Sequence, residues 1–214
     1  MGIEKRNLNY LKAIVIVHGK SEGHICDFIK NKLRLNMHIE RKHGGDNSIQ
    51  ITSVMSILKN TNYKTFDNFI ERFQVEVLDA GNKKVKPKGN KKQSNKKRLA
   101  DYFKIFIIMD TDDCSEEQKK AYIDKSMFNK HWAYEYIVPI YNITNLEDAM
   151  VDCGVPFEKK GDDRKKEYVK IFPIDKRYEK KDSIQLLEFH RMLEGSKKTN
   201  MDEFTKFCIE ISEM

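Results

Sequence analysis

Phe106-Ile107-Ile108-Met109-Asp110-Thr111-Asp112 is the stretch that decides how this chain is read. Its apolar half is short, continuous and rich in β-branched residues, which suits a parallel strand buried on both faces. Side chains alternate along a strand, so a strand carried through to Asp112 would send Asp110 and Asp112 out of one face, a pleat apart. At the carboxyl end of a parallel strand they would point into the crevice where open α/β sheets bind ligands. Two carboxylates that close repel each other unless a cation lies between them, and hard, oxygen-seeking Mg²⁺ or Mn²⁺ fills that role.

Working outward, residues 13–17 (Ala-Ile-Val-Ile-Val) read as a first strand, followed by the turn His18-Gly19-Lys20-Ser21 and a helix over 22–33 with Ser21 as its N-cap. A second strand over 37–41 ends at Gly44-Gly45-Asp46. Helices follow over 48–59 and 65–75. The strand that ends in Asp110 begins near Tyr102, and a helix follows over 115–126. A strand over 134–141, a short helix over 145–151 and a last strand over 168–172 complete the alternation. Helices over 183–193 and 201–212 close the chain, and their apolar stripes leave open whether they cover the sheet or meet a second copy. Strands alternating with helices predict an α/β fold, a mostly parallel sheet flanked by helices with a helical C-terminal extension. Residues 1–175 would form the α/β domain and 176–214 the extension.

The chain has 214 residues, 39% hydrophobic and 10% aromatic, enough for a core rather than wholesale disorder. Its net charge of +7 and pI near 9.0 favour a polyanionic partner such as DNA or RNA. The cationic excess concentrates between Gly81 and Arg98, a stretch without acids that reads as a flexible basic loop. There Lys83, Lys84, Lys86, Lys88, Lys91, Lys92, Lys96, Lys97 and Arg98 are candidate nucleic-acid contacts. Cys26, Cys114, Cys153 and Cys208 are widely spaced, which argues against a zinc finger or a secreted disulfide framework. No apolar run approaches the roughly 20 residues that cross a bilayer, and no signal-peptide pattern opens the chain. The expectation is a soluble cytoplasmic protein.

Three places carry chemistry in this ordering: His18-Gly19-Lys20-Ser21-Glu22, Asp110-Thr111-Asp112-Asp113, and Asn142-Ile143-Thr144-Asn145-Leu146-Glu147-Asp148. Each follows a parallel strand, so all three would meet along one edge of the sheet. Together they resemble the Toprim domain, the Rossmann-like metal-binding fold of topoisomerases, bacterial primases, recombination proteins and overcoming-lysogenization-defect nucleases. In that pattern an apolar strand ends in Glu-Gly, matched by Ile16-Val17-His18-Gly19. A second apolar strand ends in Asp-x-Asp, matched by Asp110-Thr111-Asp112. Small nuclease-like members add Leu-Glu-Asp at a helix start, matched by Leu146-Glu147-Asp148. The resemblance implies a Mg²⁺- or Mn²⁺-dependent phosphodiesterase with Asp110, Asp112 and Glu147 as ligands and Asp148 beside them. It also implies a role in anti-phage or mobile-element systems, alongside an ATPase or other partner protein.

One departure stands out, because the family's first glutamate falls on His18. Imidazole can serve as acid, base or ligand near neutral pH but brings no negative charge. Glu22, one turn into the next helix, is the residue placed to restore it. Lys20 would meet a phosphate oxygen. The competing reading is a catalytically degenerate domain that binds nucleic acid or a partner. A third is a phosphatase of the haloacid dehalogenase type, with Asp110 as nucleophile, Asp112 as acid/base and Gly161-Asp162-Asp163 as metal motif. Two further local readings compete with function: Thr144-x-x-Glu147 as a capping box, and Asp112 or Asp113 as the cap of the helix behind them.

Overall fold

The computed structural model describes residues 9–42, 48–79, 97–155 and 182–213. Four strands, β1 (Ala13–Val17), β2 (Met37–Glu40), β5 (Lys104–Asp110) and β6 (Ile137–Asn142), form a parallel sheet in the order β2-β1-β5-β6. The α/β class read from the alternating pattern is the observed one. Two three-residue strands, β3 (Val77–Asp79) and β4 (Lys97–Leu99), pair antiparallel outside it. Lys97 and Arg98, the last residues of the stretch read as a basic loop, are therefore strand residues, and a ribbon of such short strands leaves no alternating pattern to read.

Helices cover both sheet faces, and strand alternation decides which residue meets which layer. Ala13, Val15 and Val17 of β1 and Phe106 and Ile108 of β5 face one layer. It contains α1 (Lys20–Lys32), α5 (Leu146–Asp152), α6 (Asp182–Leu193) and α7 (Met201–Ser212). Ile14 and Ile16, with Ile105, Ile107 and Met109, face α2 (Ile51–Leu58), α3 (Phe66–Arg72) and α4 (Glu116–Ile123). Every residue of β1 is buried, as a strand sandwiched between two helical layers requires.

The two terminal helices share this core. Leu186, Phe189 and Leu193 of α6 and Met201, Phe204, Cys208 and Ile211 of α7 are buried in the same cluster as β1 and β5. The Phe204 ring meets Phe106 edge-on at 5.0 Å between centroids. The segment before α7 also docks on the outer side of β6: Asn200 Nδ2 donates to the Pro139 carbonyl (3.0 Å), Tyr141 N donates to Asn200 Oδ1 (2.9 Å), and Thr199 bridges to Asn142. On the opposite layer the single tryptophan, Trp132, is partly buried and packs against the core. Its indole N–H donates to the Tyr63 carbonyl at 2.7 Å, and its ring lies edge-on to Phe66 and Phe69.

Several expected boundaries move for local reasons. Residues 134–136 form a 3₁₀ turn, so β6 starts at Ile137. Helix α1 begins at Lys20 with Gly19 as its N-cap, and Ser21 is a buried residue of the first turn instead of the cap. The expected strand 168–172, the turn Gly44-Gly45, Gly161-Asp162-Asp163, and Lys83, Lys84, Lys86, Lys88, Lys91, Lys92 and Lys96 lie outside the described residues.

Candidate functional site

From β1 the chain crosses through α1 on one face to reach β2. From β5 it crosses through α4 on the other face to reach β6. Two crossovers leaving adjacent strands in opposite directions open a crevice at the strands' carboxyl ends, the place where such sheets hold ligands. A cavity of about 700 Å³ lies there, and its walls include His18, Lys20, Glu22, Asp110, Asp112 and Glu147. The three stretches singled out in the sequence therefore converge.

His18 follows β1 directly. Its N–H donates to the Ile108 carbonyl at 2.8 Å, extending the β1–β5 ladder, and its carbonyl accepts from Ile49 N at 2.8 Å. The ring stands over Asp110, with Nε2 3.8 Å from Oδ2. Its Nδ1 is buried with no hydrogen-bond partner among the described residues. Nε2 is therefore the ring nitrogen turned toward the carboxylate.

Glu22 is 2% exposed, an unusual place for a carboxylate. Gly19 has no side chain to cap α1, so Glu22 reaches back and its Oε2 accepts from Gly19 N at 2.9 Å. That bond fixes the carboxylate at the base of the cavity, near the positive end of the helix, where negative charge is favoured.

Asp110 closes β5, is 8% exposed, and accepts from Asn142 Nδ2 at 3.0 Å. Asn142 is fully buried and is itself held by Thr199, whose hydroxyl donates to Asn142 Oδ1 at 2.9 Å while accepting from Met201 N at 3.1 Å. The chain of donors leaves only the amide N–H₂ of Asn142 to face Asp110. Sequence reading placed Asn142 in the third motif without a role and passed over Thr199. Neither has a spacing signal, because the contact joins β6 to a segment 57 residues further on.

Burial holds the Asp110 carboxyl up at about 7, and the Glu22 carboxylate beside it adds to the rise. The Asn142 amide and the His18 ring pull downward, and Glu147 raises it further. Desolvation and like charge thus outweigh the single good hydrogen bond.

The turn after β5 is drawn toward β6 by Thr111. Its N–H lies 3.1 Å from the carbonyls of Asn142 and Thr144, its hydroxyl donates to Asn142 O, and Thr144 N donates back to that hydroxyl. The strand consequently stops at Asp110. Asp112 reaches the cavity from an exposed turn and not from the same pleated face. Nor do Asp112 and Asp113 cap α4: Ser115 does, in a reciprocal box with Gln118. Asp113 instead accepts from Gln50 Nε2 at 3.0 Å.

Thr144 adopts φ +68°, so it cannot cap α5; Asn145 does, accepting from Asp148 N at 2.8 Å. The capping-box reading of Thr144 and Glu147 fails on that backbone conformation, and Glu147 faces the cavity instead. Asp148 stands apart, exposed and engaged by Asn145 Nδ2 at 3.3 Å. Arg98 also stands apart, paired with Asp101 beside β4, and Lys97 lies at the start of that strand.

Does this donor set suit a divalent cation? Among the described residues, no three His, Cys, Asp or Glu side chains are drawn together at ligand spacing. Yet Glu22 and Asp110 are two buried carboxylates close enough that one raises the other, and Asp112 and Glu147 line the same cavity. Buried like charges of oxygen donors are what a hard cation relieves, so the chemistry fits Mg²⁺ or Mn²⁺.

No family model, no curated protein and no solved structure matches this chain.

Proposed function

We propose that the protein is a divalent-metal-dependent nuclease that hydrolyses phosphodiester bonds in DNA or RNA, built as a Toprim-like domain. The observation that carries this reading is the convergence of Glu22, Asp110, Asp112 and Glu147 with His18 in one crevice at the switch between β1 and β5. Glu22 supplies the charge that His18 lacks at the position of the Toprim glutamate, and it does so from the next helical turn.

Glu22, Asp110, Asp112 and Glu147 would hold Mg²⁺ or Mn²⁺, which when bound offsets charge on the phosphate and lowers the cost of deprotonating water. The protein's own groups do the remainder. Asn142 keeps Asp110 turned into the crevice. His18, with Nε2 toward Asp110, is placed to move a proton at the attacking water or at the departing oxygen. Lys20 on the cavity wall offers a point charge to a non-bridging oxygen. Attack of water forms one P–O bond as the other breaks, and the departing oxygen takes a proton.

The test is incubation of purified protein with duplex and single-stranded DNA and RNA in Mg²⁺ and in Mn²⁺. Cleavage that vanishes with chelator and with Asp110→Asn supports the reading. Binding of nucleic acid without cleavage in either ion sinks it and favours the catalytically degenerate binding domain, which His18 in place of glutamate already makes the second candidate.

A further inference from the structure

The cavity has a second, cationic wall that the hydrolytic groups do not use. Arg41, just after β2, lies across α1 with its guanidinium flat against Gly23. A Cβ at position 23 would fall 2.8 Å from Arg41 Nε and 3.0 Å from Cζ, so any larger residue there would push the guanidinium out of this seat. Nη2 donates to the Gly23 carbonyl at 2.9 Å and pairs with Asp27. Both of its hydrogens are then engaged, while Nε and Nη1 have no partner among the described residues.

Stability does not account for this seat. A half-exposed ion pair contributes little, and a glycine inside a helix costs about as much as such a pair returns. The arrangement instead holds the guanidinium in one orientation and leaves Nε–H and Nη1–H₂ as separate charge-assisted donors for an anionic oxygen such as that of a phosphate. Gly23 directly follows Glu22, so the guanidinium lies on the same helical turn as the buried carboxylate, and both face the one cavity.

We propose that Arg41, seated on Gly23 and held by Asp27, is a phosphate clamp that grips a backbone phosphate of the bound nucleic-acid strand next to the one at the carboxylates. The proposal rests on the phosphodiester reading for its ligand but not on hydrolysis. A strand crossing the crevice places one phosphate over the acidic wall and a neighbour over Arg41, which fixes the strand's register.

The test measures binding of short DNA and RNA oligonucleotides by the full chain in chelator, so that no metal contributes, across a range of salt. Arg41→Met keeps the aliphatic stem and removes the charge and its N–H donors. It should weaken binding about tenfold and flatten the log–log salt dependence by about one phosphate contact. Gly23→Ala keeps every charge and displaces the guanidinium, so it should show the same loss with an unchanged far-ultraviolet spectrum. Arg41→Lys should recover only part of the affinity. Wild-type affinity and salt slope in Arg41→Met would overturn the clamp, whatever Gly23→Ala does to folding. If inorganic phosphate perturbs the Arg41 Nε–H resonance while oligonucleotides do not bind, the strand assignment falls and a small phosphorylated ligand takes its place. A protein that never cuts but shows the Arg41→Met loss retains the clamp while losing the nuclease reading.

Discussion

Asp110 carries a charge that the fold does not welcome without a cation. Its carboxyl is held at about 7 by burial and by Glu22 from α1, against Asn142 from β6 and His18 from the turn, with Glu147 from α5 adding to the rise. Between about pH 4 and 7 the native state keeps a proton that the unfolded chain has released. The native protein therefore loses stability through that window as pH rises, and the loss is complete above it. In chelator, Asp110→Asn should be more stable than the wild type at pH 8, by on the order of 2–4 kcal/mol, with the advantage fading toward pH 4. Urea unfolding of both proteins at the two pH values checks this; a variant less stable at pH 8 contradicts the assigned direction. Added Mn²⁺ should raise the wild-type Tm and leave that of Asp110→Asn nearly unmoved, because only a native state with the site intact gains from the ion.

How β6 and α5 are joined explains why part of the site could be read in advance and part could not. The strands around Val15 and Ile107 are continuous apolar runs, and Asp110 ends one of them, so both the sheet and its acidic edge were readable. Glu147 had two readings, a metal ligand by the Toprim resemblance and half of a capping box with the threonine three residues earlier. Only the φ of +68° at Thr144, which no local pattern announces, removes the second. A β-branched residue in that region is strained. Thr144→Gly should therefore stabilise the protein by about 0.5–1 kcal/mol, measured by urea denaturation. The link from Thr199 through Asn142 to Asp110 was hidden, because it joins elements far apart in sequence. Thr199→Val keeps the shape but strands Asn142 Oδ1 and Met201 N, both buried. It should cost about 1–3 kcal/mol, with Thr199→Ser recovering most of it. An unchanged midpoint in Thr199→Val would mean the hydroxyl is not part of the support.

The two helical layers are unequal in how they depend on chain connectivity. One is assembled from α1, α5 and the distant α6 and α7, so that side of the sheet is only partly covered until α6 and α7 have docked. Phe204→Ala, which empties a fully buried ring site against Phe106, should cost about 3–5 kcal/mol in chemical denaturation. The opposite layer, with α2, α3 and α4, holds Trp132 against Tyr63, Phe66 and Phe69. Intrinsic fluorescence excited at the indole band consequently watches one side of the sheet and is nearly blind to the other. If the emission change and the circular-dichroism transition coincide on heating, the protein melts as a unit. Should the emission lag behind, the α6–α7 side has peeled away first, carrying with it the threonine that steadies the acidic crevice.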